Sequence, residues 1–154
     1  MKTFVCPACG KGTVSLRSGK GRSFPYKQVP ALEINDDFQI PTCDACGEMF
    51  IGAAVAKKLD AHLERRYQQL LGNVVKSAIA RIATHAPQQE LEQLLGLSHG
   101  YLSKLRNGKK DPSPTLVGEL MMLAENPRKR VVELRRHWAA AASGAALKAA
   151  SSGS

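Results

Sequence analysis

The chain has 154 residues, 44% of them hydrophobic, enough for one ordinary domain or two small ones with a modest core. No run approaches the roughly 20 apolar residues that span a bilayer, and "MKTFVCPACG" lacks the apolar core of a secretory signal, so the expectation is a cytoplasmic globular protein with no membrane partner. The net charge of +9 is unevenly held: residues 1–54 carry 6 Lys and Arg against 5 Asp and Glu, net +1, whereas 55–154 carry 16 against 8, net +8. The second part should therefore seek a polyanion, with nucleic acid the first choice and a merely solvated basic surface the alternative.

All four cysteines fall in two matched pieces, "CPACG" at 6–10 and "CDACG" at 43–47. Each Cys-x-x-Cys-Gly aims two thiolates at one centre, and its glycine is free to take the turn that closes the knuckle. Two knuckles make a tetrahedral site of four sulfurs, so Cys6, Cys9, Cys43 and Cys46 are expected to share one zinc ion per chain. Two disulfides fit a reducing compartment poorly, and a redox Cys-x-x-Cys needs a βαβ context that "KGTVSLRSGKGRSFPYKQVP" does not offer. Four protein ligands leave no open position for water, which makes the ion structural rather than catalytic. Between the knuckles, "TVSL", "ALEI" and "FQI" read as brief strands of a small antiparallel sheet. So little apolar surface leaves the metal to supply most of the folding free energy of residues 1–54.

From Val55 the spacing becomes helical, with Val55, Leu59, Leu63, Tyr67 and Leu70/Leu71 on one face and Lys57, Lys58, Arg65 and Arg66 on others. This helix over 55–71 is a connector or a dimer or partner surface, and "LGN" at 71–73 is expected to be a break or hinge. Val75, Ala78/Ile79 and Ile82 predict a second helix that ends at "THAP".

Pro87 then opens a helix of about two turns carrying Leu91 and Leu94/Leu95 inward, and Gly96 permits a tight turn. Ser98 is placed to cap a further short helix, which Asn107-Gly108 closes and whose buried face is Leu102 and Leu105. Two short helices joined by such a turn form a helix-turn-helix, whose second helix enters the DNA major groove. Lys104 can donate to guanine or phosphate, His99 can meet a base edge, and Tyr101 can bond phosphate or pack on a thymine methyl. Gly100 reads nothing; it either lets the helix approach closely or is a weak helix position. For His99 the alternative is a solvated surface histidine.

Ser113-Pro114 begins another helix with Leu116, Val117, Leu120, Met121 and Leu123 as core, and Pro127 begins the last. There Val131, Leu134 and Trp138 line one side, Trp138 as a candidate dimer anchor, while Arg128, Lys129, Arg130, Arg135 and Arg136 crowd the others. That basic cluster is either solvated or in contact with a nucleic-acid backbone. Residues 141–154 read as a disordered Ala/Ser/Gly tail. No nucleophile–base constellation, phosphate loop or open metal position is visible, so the chain is not read as an enzyme.

The run from Gln88 to about Asn126, in "QQELEQLLG", "LSKLRNGKKDPSP" and "TLVGELMMLAEN", resembles the Cro/cI-type helix-turn-helix family, which implies five helices within 74–138. Carried onto this chain, the resemblance makes His99, Gly100, Tyr101, Ser103 and Lys104 the DNA-facing residues, with Ser98 at the helix start also among the DNA-binding set. It also places Gln88 on a phosphate and Asn107, Lys109 and Lys110 beside the backbone. One position departs: where that family usually has alanine, at the close crossing of the two helices, this chain has Glu92.

The whole arrangement, a four-cysteine module followed by such a domain, is similar to the MqsA-type antitoxins with their YgiT-type zinc finger. That resemblance implies a bacterial, phage or plasmid protein whose zinc module binds a ribonuclease toxin while its helical part dimerises on a double-stranded operator and represses its own operon. A stand-alone regulator with a structural or metal-sensing zinc module is the alternative. Gly100 and Lys104 stand where the best-known members have asparagine and arginine, so no operator sequence carries over. The expected fold is mainly α, with a zinc-bound β module at 1–54, the connecting helix at 55–71, a five-helix DNA-binding domain at 72–140 and the tail at 141–154.

Overall fold

In a computed structural model, residues 2–35 and 37–144 are described. Five short strands precede five helices: β1 (Phe4–Val5), β2 (Thr13–Ser18), β3 (Ser23–Tyr26), β4 (Val29–Glu33), β5 (Gln39–Cys43), α1 (Ala53–Ala83), α2 (Gln88–Leu94), α3 (Tyr101–Arg106), α4 (Pro114–Glu125) and α5 (Pro127–Ala142). The chain divides into two compact units, Met1–Gln69 and Leu70–Ser154. None of the described helices is long and apolar enough to cross a membrane. The expected tail beyond Gly144 lies outside the described residues; Ala141 and Ala142 belong to α5.

In the first unit the strands form two sheets rather than the single one expected. One has the order β1-β2-β5, antiparallel, with Val14 opposite Cys43 and Leu16 opposite Pro41; the other is the hairpin β3-β4. The hairpin strand Ser23–Tyr26 was hidden in the sequence by Pro25, which a strand tolerates only at an edge or bulge, and the register does slip between Phe24 and Tyr26. Its turn puts Lys27 in the left-handed region at φ 49°, uncommon for a residue other than glycine. The lysine is held there. Its Nζ donates to Glu64 at 2.6 Å and lies 4.7 Å from the centre of the Tyr67 ring. Gln68, Lys27 and the Tyr26 hydroxyl all donate to Glu64, which holds that carboxyl down to about 2. The Tyr67 hydroxyl donates to Gln28 at 2.6 Å, so the first half of α1 is tied to the hairpin by polar contacts around buried Leu59, Leu63 and Tyr67.

The predicted break at 71–73 does not occur, and α1 runs through it. Leu71 and Val75 continue the buried stripe at a spacing of four, and Gly72 keeps a negative φ, a helical glycine costing only about 1 kcal/mol relative to alanine.

In the second unit, buried Leu91, Leu102, Leu105, Leu116, Val117, Leu120, Leu123 and Val131 join Val75, Ile79 and Ile82 of α1. Ser113 and Asn126 cap α4 and α5 through their side chains, each with proline at the first helical position. Met121, expected in the core, is 52% exposed, because the inward face of α4 is completed by Leu116, Leu120 and Leu123.

His62 is buried in the first unit, its ring 4.8 Å from that of Phe38, and its Nε2 accepts the Asn35 N–H at 3.3 Å. Burial, the largest effect, depresses its pKa below the ordinary 6.5, so the neutral ring is the folded form. Because the unfolded chain then binds the extra proton first, the stability that neutral His62 supports is complete above 6.5 and declines as the pH falls below it. Thermal melts between about pH 7.5 and about pH 5.5 should show the full chain losing stability, with a smaller loss in His62→Gln; equal losses would contradict the assignment.

Candidate nucleic-acid interface and cysteine cluster

The four sulfurs converge as expected. Cys6 and Cys46 Sγ atoms are 3.8 Å apart, Cys9 and Cys43 3.7 Å, and all four lie within 4.8 Å of one another. The cysteines are free rather than paired in disulfides. Gly10 and Gly47 take φ of 66° and 74° and donate back to the carbonyls of Cys6 and Cys43, closing each knuckle. The N–H groups of Lys11 and Gly12 lower the Cys9 thiol to about 6. Cys46 is pushed up to about 12: the Glu48 N–H lowers it, but the Cys43 sulfur, burial and the Cys9 and Cys6 sulfurs outweigh that. Four thiols this close resist ionising together, and a cation at their centre removes that penalty; the cluster can hold a metal ion.

Gly12, which the sequence reading did not single out, makes the convergence possible. A Cβ there would lie 2.5 Å from Cys43 Sγ and 2.6 Å from Asp44 Oδ1, and Asp44 accepts the Thr13 N–H at 2.7 Å. Gly12→Ala should therefore reduce the metal retained per chain after dialysis, measured by elemental analysis, and lower the stability of the first unit. Full retention would show that the knuckles can separate without loss.

In the second unit α2 and α3 are short helices closed by the same device. Gly96 (φ 65°) and Gly108 (φ 68°) each follow a helix, and the next residue donates back: Leu97 N–H to the Glu92 carbonyl at 2.8 Å, Lys109 N–H to the Lys104 carbonyl at 2.9 Å. The start of α3 differs from expectation. Ser98 does not cap it through its side chain; the helix begins at Tyr101, after Gly100 in the left-handed region at φ 77°. Gly100 is thus a turn residue whose conformation disfavours a side chain, not a weak position inside the helix.

The cap that Ser98 was expected to supply comes from α2. Glu92 is 1% exposed, and its carboxylate accepts the Leu102 N–H through Oε1 and the Gly100 N–H through Oε2, both at 3.0 Å, together with the Gln88 side-chain N–H at 3.0 Å. His99 Nδ1 lies 3.8 Å from Oε2. Burial alone would raise the pKa of Glu92, but the two backbone N–H groups, Gln88 and His99 outweigh it and hold the carboxyl below its ordinary 4.5. The sequence signal was present as an acid at a position where the resembling family has alanine. Its meaning was not, because the partners lie eight and ten residues away.

The other predicted contact residues group around α3. His99, Lys104, Asn107, Lys109 and Lys110 are exposed, while Tyr101 and Ser103 are half-buried. Lys110 Nζ sits 4.3 Å from the centre of the Tyr101 ring, which brings a cation from beyond the helix back onto its first turn. Arg106, exposed in the last turn, adds a cation that the sequence reading omitted. Gln88 is half-buried, with one amide N–H given to Glu92. Behind α2, Arg135 and Trp138 of α5 bond to Glu90 and to the Leu94 carbonyl.

Residues 78–122 match the helix-turn-helix family model. The matched segment contains α2, the turn and α3 entire, and it supports a DNA-binding transcription-regulator function acting on double-stranded DNA. Regulators of that family are generally not enzymes. A comparison with curated proteins returned no match.

Proposed function

We propose that the chain is a sequence-specific DNA-binding antitoxin that represses its own toxin–antitoxin operon. It acts as a cytoplasmic homodimer and holds its toxin through a zinc-bound N-terminal module. The observation that carries the DNA-binding part is a short helix, α3, fixed across α2 within the matched segment, with His99, Lys104, Arg106, Lys109 and Lys110 exposed around it. In this reading Lys104 and His99 read base edges, Tyr101 and Ser103 support the first turn against the groove, and Gln88, Asn107, Lys109 and Lys110 meet phosphates.

Zinc is the metal that best suits the cluster. Zinc–sulfur bonds of about 2.3 Å in a tetrahedron put sulfurs about 3.8 Å apart, and two of the sulfur pairs here lie at 3.7 and 3.8 Å. Bound there, the ion supplies folding energy to the module. A second copy is supported by the exposed side chains of Met122 and Trp138, which with Leu94, Leu95 and Leu134 line an apolar groove on the second unit. The antitoxin role rests on the order of the two modules, which is that of the MqsA-type proteins. A stand-alone regulator is the second reading, favoured by the near neutrality of residues 1–54, which marks no charged docking face.

The full chain should form a salt-sensitive complex with the region upstream of its own gene, weakened about tenfold or more in Lys104→Ala by loss of a base or phosphate contact. It should also carry close to one zinc per chain, lost in Cys43→Ser. Unchanged binding by Lys104→Ala would overturn the assignment of α3. Co-purification with the product of an adjacent gene that is toxic alone would support the antitoxin reading over the stand-alone one, and absence of any such partner would reverse that order.

A further inference from the structure

We propose that Glu92, which is itself buried away from any ligand, is the positioning residue on which sequence selectivity depends. The inference rests on the DNA-binding reading above and deepens it. A six-residue helix has no stability of its own, so the direction of α3 must be imposed by what holds its ends. Its C-terminal end is closed within its own backbone through Gly108. Its N-terminal end, where residues of a recognition helix meet base edges, is held by one carboxylate on the neighbouring helix.

The geometry gives that carboxylate three separate duties. By taking the Leu102 N–H it fixes the first turn, and by taking the Gly100 N–H it fixes the left-handed residue that sets the angle at which the chain enters α3. By taking one Gln88 N–H it also sets the orientation of the amide assigned to a phosphate, since that nitrogen carries a second donor. Apolar packing of Leu91, Leu102 and Leu105 excludes water but does not define a rotation of one short helix on another. Hydrogen bonds to a charged acceptor do, because they are directional and stronger than neutral ones. A neutral side chain of the same shape cannot replace it. An amide presents only one oxygen, and its nitrogen would face a backbone N–H, donor against donor.

Loss of the carboxylate should therefore cost phosphate attraction little, since that rests on the surface cations rather than on the one neutral amide of Gln88, and impair discrimination between sequences, which depends on where His99, Tyr101 and Lys104 point. The test uses the full chain and two DNA probes, a duplex enriched by the wild type from a random library and a scrambled version of it. In Glu92→Gln, affinity for the scrambled duplex should stay within about twofold, while affinity for the enriched duplex falls about tenfold or more, or about 1.4 kcal/mol. The amide-proton resonances of Gly100 and Leu102 should move upfield in the same variant as they lose an ionised acceptor.

An unchanged ratio between the two duplexes, with those resonances shifted, would overturn the inference. So would an equal fall on both, which is the mark of a merely weakened fold. Should Glu92→Gln melt below the assay temperature, Glu92→Ala, the residue usual in the resembling family, is measured in the same way and read by the same outcomes. If the wild type enriches no sequence at all, the DNA-reading function itself falls and the inference with it.

Discussion

A single buried carboxylate ties together the two short helices of the helix-turn-helix. Glu92 is 1% exposed, yet it is ionised more readily than an ordinary glutamate because three N–H donors converge on it. An unpaired charge at such a depth would cost several kcal/mol, so the arrangement is all or nothing. Either Gln88, Gly100 and Leu102 are held where they are, or the carboxylate must be protonated or released. This makes α2 and α3 one unit, although neither is long enough to be a stable helix alone.

The N-terminal module solves a related problem with different chemistry. Its apolar core near the knuckles is small, Cys6, Val14 and Cys43 with Cys9 and Phe50 packed against them, and two of its strands lie in a separate hairpin. Four sulfurs lie within 4.8 Å of one another beside that small core, and Gly12 is the point at which the backbone must lack a side chain for them to meet. In both units groups that are unfavourable by themselves, a buried charge and a cluster of thiols, are brought together by the fold.

Much of this was legible in the sequence because the signals are local. The matched Cys-x-x-Cys-Gly pieces, the leucines at 102 and 105, the glycines at 96 and 108 and the helix starts at Ser113-Pro114 and Pro127 each carry their meaning within a few residues. What escaped was tertiary. Nothing local shows that Glu92 reaches Gly100 and Leu102, that Gly12 faces the Cys43 sulfur, or that Lys27 is held in a left-handed turn by Glu64 and Tyr67. The break expected at Gly72 failed for the opposite reason: a local penalty of about 1 kcal/mol yields to a buried stripe that continues on both sides. Met121 was assigned to the core by spacing that its neighbours on α4 already fill.

Whether Glu92 is an ionised cap on α3 is tested most directly by the titration of its own carboxyl carbon. In selectively labelled full-length protein followed by carbon NMR, the Glu92 resonance should titrate below 4.5, with the Gly100 and Leu102 amide protons shifting upfield in the same step as the N–H bonds weaken. A carboxyl that titrates at or above 4.5, with the two amides unresponsive, would show that the charge does not hold the helix.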